Sequence, residues 1–378
     1  MDPIHLFSPA FRVEEALAEV RDCLEKGWTG AGYKTAEFED AWRQYSGLAH
    51  THFVNSATAG LHLALRLLKE DGGWPEGDEV ITTPLTFVST NHVILYERLK
   101  PVFADVDEYL CLDPASVAER VSERTRAVCF VGLGGNIGRY GKVLDFCRAR
   151  GLAMILDGAH MAGTWIGSHH AGSDADAAVF SFHAVKNLPT ADAGAVCFAR
   201  QDLDRSVREW SWLGIDKDTY SRTLGAGPYR WKYNVDHVGF KYHGNSVMAA
   251  LGLVGLRYLE QDNTQRRELA RWYDEELAGD SRVAGIPQPE AFLSSRHLYQ
   301  VLVEHRDEVM VGMNRQGIFP GVHYADNTSY PMYSYALGTC PRAQWASERL
   351  ISLPMHLRLT RSDVRRVAQA LTHSLVAF

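Results

Sequence analysis

Short apolar runs alternate along the first half of the chain with stretches whose apolar residues recur every three or four positions. Val13, Ala16, Leu17, Val20 and Leu24 form one such stripe and predict a helix over 13–26. A Gly-rich turn, WTGAG, then leads into a second helix, YKTAEFEDAWRQYSG. HFV (52–54) reads as a short strand, and NSATAGLHLALRLL as a helix whose small hydroxyl and alanine residues suit an exposed N-terminus. The runs EVITTPLTF, PVFADV, AVCFVGLG, AMILDGAH, AAVFSFH and AGAVCFAR read as buried strands. SVAERVS and VLDFCRAR are helices among them. Strands alternating with helices predict an α/β fold whose large, mainly parallel, doubly wound sheet is covered on both faces. Ligands of such sheets bind beyond the carboxyl ends of the strands. Thr86, Phe87, Asp157 and the Ser181–Lys186 turn all fall at such ends.

After Asp204 the pattern becomes irregular and rich in Trp, Tyr and Gly. A helix is expected from about Ser246 to Leu259, with Val247, Ala250, Leu251, Val254 and Tyr258 on overlapping faces. A second helix follows beyond Asp262, then HLYQVLV and GVHYA as strands and a closing helix from Ser362. The expected division is a large domain over 1–260, whose N-terminal segment packs on the small domain, and a smaller C-terminal α+β domain over 261–378.

The 378 residues, 46% hydrophobic and 22% charged, are globular in composition. A net charge of −7 without a basic run argues against a nucleic-acid groove. No run reads as a membrane span or signal peptide. The six cysteines are scattered without a C-x-x-C pair, so no metal site is expected and a reducing, cytoplasmic setting is.

The segment FSFHAVKNLPTADAG (180–194), about two dozen residues after DGAH (157–160), carries the chemistry. An acidic residue at a strand end, followed by Ser-Phe-His-x-x-Lys-Asn and a Gly-bearing turn, resembles the way fold type I pyridoxal phosphate (PLP) enzymes hold their cofactor. Such chemistry needs a Lys that bonds the cofactor aldehyde, a carboxylate against the pyridine nitrogen, and donors for the phosphate. Lys186, Asp157 and Ser181 are placed for these tasks. A carboxylate ending the apolar run LAMIL costs stability unless paired; a protonated ring nitrogen is one partner, and a helix-capping role is the alternative. His160 fits either beside the ring or as a packed core histidine. Asn55, Ser56, Ala57 and Thr58 before a helix offer backbone N–H groups and hydroxyls to a phosphate. Phe87 fits a stacking ring or the core.

The segments GWTGAGYKTAEFE, VNSATAGLHLAL, GDEVITTPLTFVSTNHVI, PVFADVD, ILDGAH, FSFHAVKN, GFKYHGNSVMAALGL, GVHY and SLPMH occur in order over nearly the whole chain. On them the sequence resembles the DegT/DnrJ/StrS family of sugar aminotransferases. The resemblance implies an aspartate aminotransferase-like fold, a homodimer with active sites at its interface, and transfer from glutamate or glutamine to a keto-sugar, mostly nucleotide-linked. By position, it makes Lys186 the cofactor lysine, Asp157 the pyridinium partner and Phe87 the stacking ring. It makes Ala57, Thr58 and Ser181 phosphate ligands and puts His160 under the cofactor. Either Lys241 or Asn245 takes the place of the family's residue that crosses to the partner's phosphate.

Three departures lie where substrate would be read: Gly132-Leu133-Gly134-Gly135-Asn136, Gly239-Phe240-Lys241-Tyr242-His243, and Ala325-Asp326-Asn327 after Tyr324. Substrate contacts are expected from Thr29, Lys34, His183, Lys241 and Tyr324. Lys34, Arg222, Arg230 and Lys232 are the candidates to pair with a diphosphate. Within the family, a sugar dehydratase would carry His in place of Lys186, and a non-catalytic regulatory protein would not need Lys186 and Asp157 together. A desulfurase on the same fold would need a mobile cysteine, and Cys340, in LGTCPRAQ, is a poor candidate.

Overall fold

The computed structural model describes residues 2–217, 219–224 and 232–375. Its centre is a seven-stranded sheet: β1 (His50–Val54), β2 (Glu79–Thr82), β3 (Lys100–Phe103), β4 (Thr125–Val131), β5 (Ala153–Asp157), β6 (Ala177–Ser181) and β7 (Gly194–Phe198). Their spatial order is β1-β7-β6-β5-β4-β2-β3. Strands β3, β2, β4, β5 and β6 pair in parallel, while β7 runs antiparallel to both β1 and β6. These strands are short apolar runs because both faces are covered. One face carries Phe38, Trp42, Phe130, Phe180 and Phe182, and the other Leu61, Leu65, Val179, Val196 and Val207.

Helix Ala57–Gly72 lies on the second face, held close by Gly60, where a Cβ would come within 2.9 Å of Val179. Ser56 caps this helix by accepting from the Ala59 N–H.

One helix of 32 residues, Ser246–Leu277, replaces the two expected around Asp262. Ala249 and Leu259 belong to the core beside the large sheet. Leu269, Ala270, Tyr273 and Leu277 belong to a second core with the C-terminal strands and helices. The division expected after residue 260 therefore falls inside a continuous helix. The helix survives its polar middle because those side chains are buried with partners. Asp262 takes Arg12 at 2.6 Å, and the Arg266 guanidinium donates to the Met355 carbonyl at 3.2 Å. Ile4, near the N-terminus, packs into the second core.

The C-terminal part is α+β, with a small antiparallel sheet of Ala284–Gly285, Tyr299–Leu302 and Leu350–Leu353. GVHYA, expected as a strand, contributes only a single bridge from Gly321 to Ser352. Leu6 of the N-terminal segment packs against Gly321, where a Cβ would lie 2.5 Å from its Cδ2.

Candidate active site

β5 and β6 end at Asp157 and Ser181, and β1 ends just before Ser56, all on one edge of the sheet. β7 starts on that edge with Gly194, paired with both Val54 and Ser181. A Cβ on Gly194 would lie 2.7 Å from the Ala57 nitrogen and 2.8 Å from the Phe180 oxygen. Glycine here lets the first turn of helix Ala57–Gly72 sit against the strand ends. The result is a cavity of about 360 Å³ lined by Ser56, Ala57, Thr58, Phe87, Asp157, His160, Ser181, His183, Lys186 and Tyr324, among others. The cavity thus gathers nine of the proposed cofactor and substrate residues, from both halves of the chain, together with Ser56 and Thr86.

Asp157 is buried and accepts from Thr90 Oγ1 at 2.7 Å and from the Ala159 N–H at 3.1 Å. Burial raises its pKa, while these two donors and the positive charge of Lys186 oppose the rise. Burial likewise pulls the Lys186 ammonium down to about 8, with Asp157 opposing. Lys186 leaves a tight loop: Phe182 and the Ala193 carbonyl close its base at 2.8 Å, and the Lys186 N–H donates to the His183 carbonyl at 2.9 Å. The next residue anchors that loop. Asn187 donates to Asn263 Oδ1 and to the Ser295 carbonyl, both at 2.7 Å, and accepts from His297 Nδ1 at 2.8 Å.

His160 is neutral, because burial holds its pKa well below the usual value. Its Nδ1 accepts from the Gly134 N–H at 3.1 Å, so its proton sits on Nε2. Nε2 lies 3.2 Å from the Tyr324 hydroxyl, which accepts that proton and keeps its own to donate. The His160 ring also packs on His297 with centroids 4.5 Å apart. Phe87 is 56% exposed at the cavity wall, an apolar ring with room for a flat partner.

Sequence reasoning placed Thr86 at a strand end but did not single out Thr90, His297, His323 or Asp192. Thr86 and Thr90, four residues apart in TPLTFVST, carried a helical-spacing signal. His297 and His323 lie far along the chain and reach the cavity only through the tertiary fold.

Several expected substrate residues lie elsewhere. Lys34 is corrected: it is buried, and its Nζ sits 2.7 Å from Glu19, 2.9 Å from Glu37 and 3.6 Å from Asp22. Three carboxylates saturate the ammonium, leaving nothing to pair with a diphosphate. Thr29 is outside its own chain's cavity, and its carbonyl accepts from the Ser246 N–H at 3.1 Å. Asn245 caps the long helix, its side chain accepting from Met248 at 2.9 Å. Lys241 Nζ lies 3.3 Å from the centre of the Trp212 ring. Arg222 stacks on Tyr233 at 4.9 Å, and Lys232 is exposed. Arg230 lies outside the described residues. In the long helix, Ala250 and Val254 are buried within their own chain, while Val247, Leu251 and Tyr258 are half-buried. Cys340 is buried, with its thiol pushed up to about 11, unlike a reactive nucleophile.

The donor set fits PLP. A buried carboxylate at a strand end has a lysine as its charged neighbour, a capped helix N-terminus with Ser56, Thr58 and Ser181 offers a phosphate cradle, and an exposed ring stands at the wall. The site and fold are those of a PLP-dependent aminotransferase.

The chain belongs to the DegT/DnrJ/EryC1/StrS aminotransferase family, whose model matches residues 11–372. It is 32% identical to MJ1066 of Methanocaldococcus jannaschii, an uncharacterised protein, over 96% of both chains. The fold superposes on the sugar aminotransferase CalS13 from Micromonospora echinospora with a TM-score of 0.89, at 28% identity over 98% of this chain and 99% of that one. It superposes on the PLP form of Spr1654 from Streptococcus pneumoniae with a TM-score of 0.88, at 28% identity over 99% of each chain.

Proposed function

We propose that the protein moves an amino group from glutamate to a keto-sugar carried on a nucleotide, with Lys186 and Asp157 as its catalytic residues. The observation that carries this reading is the pairing of a depressed-pKa lysine with a buried carboxylate in one cavity. Bound PLP supplies an aldehyde that exchanges amino groups and a ring that draws electrons from the carbon bearing the amine. Asp157, whose charged form Thr90 and Ala159 favour by donating to it, would face the ring nitrogen and hold a proton there. Lys186 would hold the cofactor through Nζ, and its free amine would be the group placed to take up and give back a proton at the donor's α-carbon. Its pKa of about 8 suits both tasks near neutral pH. Ser56, Ala57, Thr58 and Ser181 hold the phosphate, Phe87 covers the ring, and His160 orients Tyr324.

The sugar reading rests on likeness to CalS13 and on the cavity's size. At about 360 Å³ it lies at the small end of ligand pockets, with room for the cofactor and one sugar ring. A nucleotide would lie outside, across the rim. A second copy of the chain completes that rim in our reading, supported by the apolar exposure of Tyr233, Val235 and Val238, the last 91% exposed, just before the segment 239–245. Six free, buried cysteines support a cytoplasmic, reducing setting. The test is a panel of nucleotide-linked and free keto-sugars offered to the glutamate-treated enzyme. Amination of the nucleotide-linked sugars alone is expected. Efficient amination of free keto-sugars alone would overturn the nucleotide part of the reading.

A further inference from the structure

Behind the loop that positions His160 lies a second cavity, of about 260 Å³. Gly134 forms the partition: its N–H holds His160, its carbonyl accepts from the His297 N–H at 3.1 Å, and its other side lines the second cavity. Two polar groups at this cavity, the Arg296 guanidinium and the Gln288 amide oxygen, lack hydrogen-bond partners. Among the described residues, the Arg296 guanidinium makes no hydrogen bond or ion pair, although burial already lowers its pKa. The chain holds this arginine in a left-handed conformation, φ 47°, that non-glycine residues seldom adopt. The Gln288 amide oxygen is buried and nothing donates to it. Asp274, also on the wall, takes the Tyr299 hydroxyl at 2.7 Å and forms no ion pair with Arg296.

Asp274 attracts the Arg296 guanidinium through space without touching it, and a partly buried guanidinium with no acceptor in contact is costly, as is a buried acceptor without a donor. One ligand satisfies both if it brings an anion and a cationic donor a few bonds apart. We propose that this cavity is a binding site for a free α-amino acid, separate from the catalytic cavity, with the carboxylate on Arg296 and the ammonium between Gln288 Oε1 and Asp274. The guanidinium fork matches a carboxylate in two parallel hydrogen bonds. The volume suits an amino acid.

The test uses the PLP-loaded enzyme and the twenty L-amino acids, each titrated alone by calorimetry while cofactor absorbance is followed. At least one is expected to bind without changing the absorbance. Arg296→Gln should weaken that binding at least tenfold, and Gln288→Leu severalfold. Neither change should lower the melting temperature of the ligand-free enzyme, whereas a purely structural arginine would lower it. For the tightest binder, the deaminated acid and the decarboxylated amine should each bind at least tenfold more weakly. Binding confined to amino acids that convert the cofactor would overturn the proposal, as would binding that survives both substitutions. Equal binding of the deaminated acid would reduce the site to a simple anion site and overturn the amino-acid assignment.

Discussion

Thr90 Oγ1 donates to Asp157 Oδ2 at 2.7 Å, and the same Thr90 oxygen lies 3.0 Å from Thr86 Oγ1. Because a carboxylate only accepts, the order of donation is Thr86 to Thr90 to Asp157. This chain, with the Ala159 N–H, favours the charged form of a buried carboxylate against the larger cost of burial. Thr90→Val keeps the shape and removes the donor. A hydrogen bond to a charged group contributes about 1.5–3 kcal/mol, so turnover is expected to fall by about tenfold or more. Steady-state kinetics with a circular-dichroism check of folding would measure it. Unchanged turnover would mean that Thr90 does not support Asp157.

The Lys186 amine has its own pH signature. Burial disfavours the ammonium, so the neutral, nucleophilic form appears above about 8 rather than above the usual 10.4. The rate at which cofactor-free protein takes up PLP into its visible-absorbing, lysine-linked form is expected to rise with pH and level off above about 8. Stopped-flow absorbance across pH 6–10 measures this. A rate that climbs unabated to pH 10 would place the amine in water.

Gly194→Ala tests the phosphate cradle. Its Cβ would push on the Ala57 nitrogen at 2.7 Å and on the Ser56 carbonyl carbon at 2.9 Å, both backbone atoms that cannot swing aside. Such overpacking costs about 1–3 kcal/mol. The helix start would move from the strand ends, and PLP affinity is expected to weaken at least tenfold in equilibrium dialysis. Wild-type affinity would show that the turn does not hold the phosphate.

Lys34 should matter to stability alone. Lys34→Met strands Glu37 and leaves Glu19 with Arg257 alone, where the ammonium now sits 2.7 Å from Glu19 and 2.9 Å from Glu37. A loss of about 1–3 kcal/mol in unfolding free energy is expected, with KM for the sugar acceptor unchanged. A raised KM with unchanged stability would return Lys34 to the substrate site.

The sheet was legible because its strands are apolar runs set between turn residues, and the order of chemistry was legible because Asp157 and Ser181 end two neighbouring strands and Lys186 follows in the loop five residues on. The long helix was not. Its centre, EQDNTQRRE, reads as a polar break, yet Asp262, Asn263 and Arg266 are buried with partners from the N-terminal segment, the loop after β5 and the C-terminal part. Tertiary hydrogen bonds override the local pattern there. Lys34 was misassigned for a related reason: its Gly-rich approach looked like an active-site loop, but helix Tyr33–Ser46 starts before it and turns its side chain towards Glu19 on helix Val13–Glu25. The Tyr324–His160 contact joins residues 164 positions apart, which no local spacing reveals.

The most direct test of the central claim is a two-step absorbance experiment on wild-type and Lys186→Ala protein, both loaded with PLP. In the wild type, glutamate should abolish the visible absorbance of the lysine-linked cofactor, and a nucleotide-linked keto-sugar should restore it with one amino sugar formed per site. The Lys186→Ala protein should bind PLP, lack that absorbance and form no amino sugar. Equal amino-sugar formation by the two proteins would contradict the assignment of the reaction to Lys186 in this cavity.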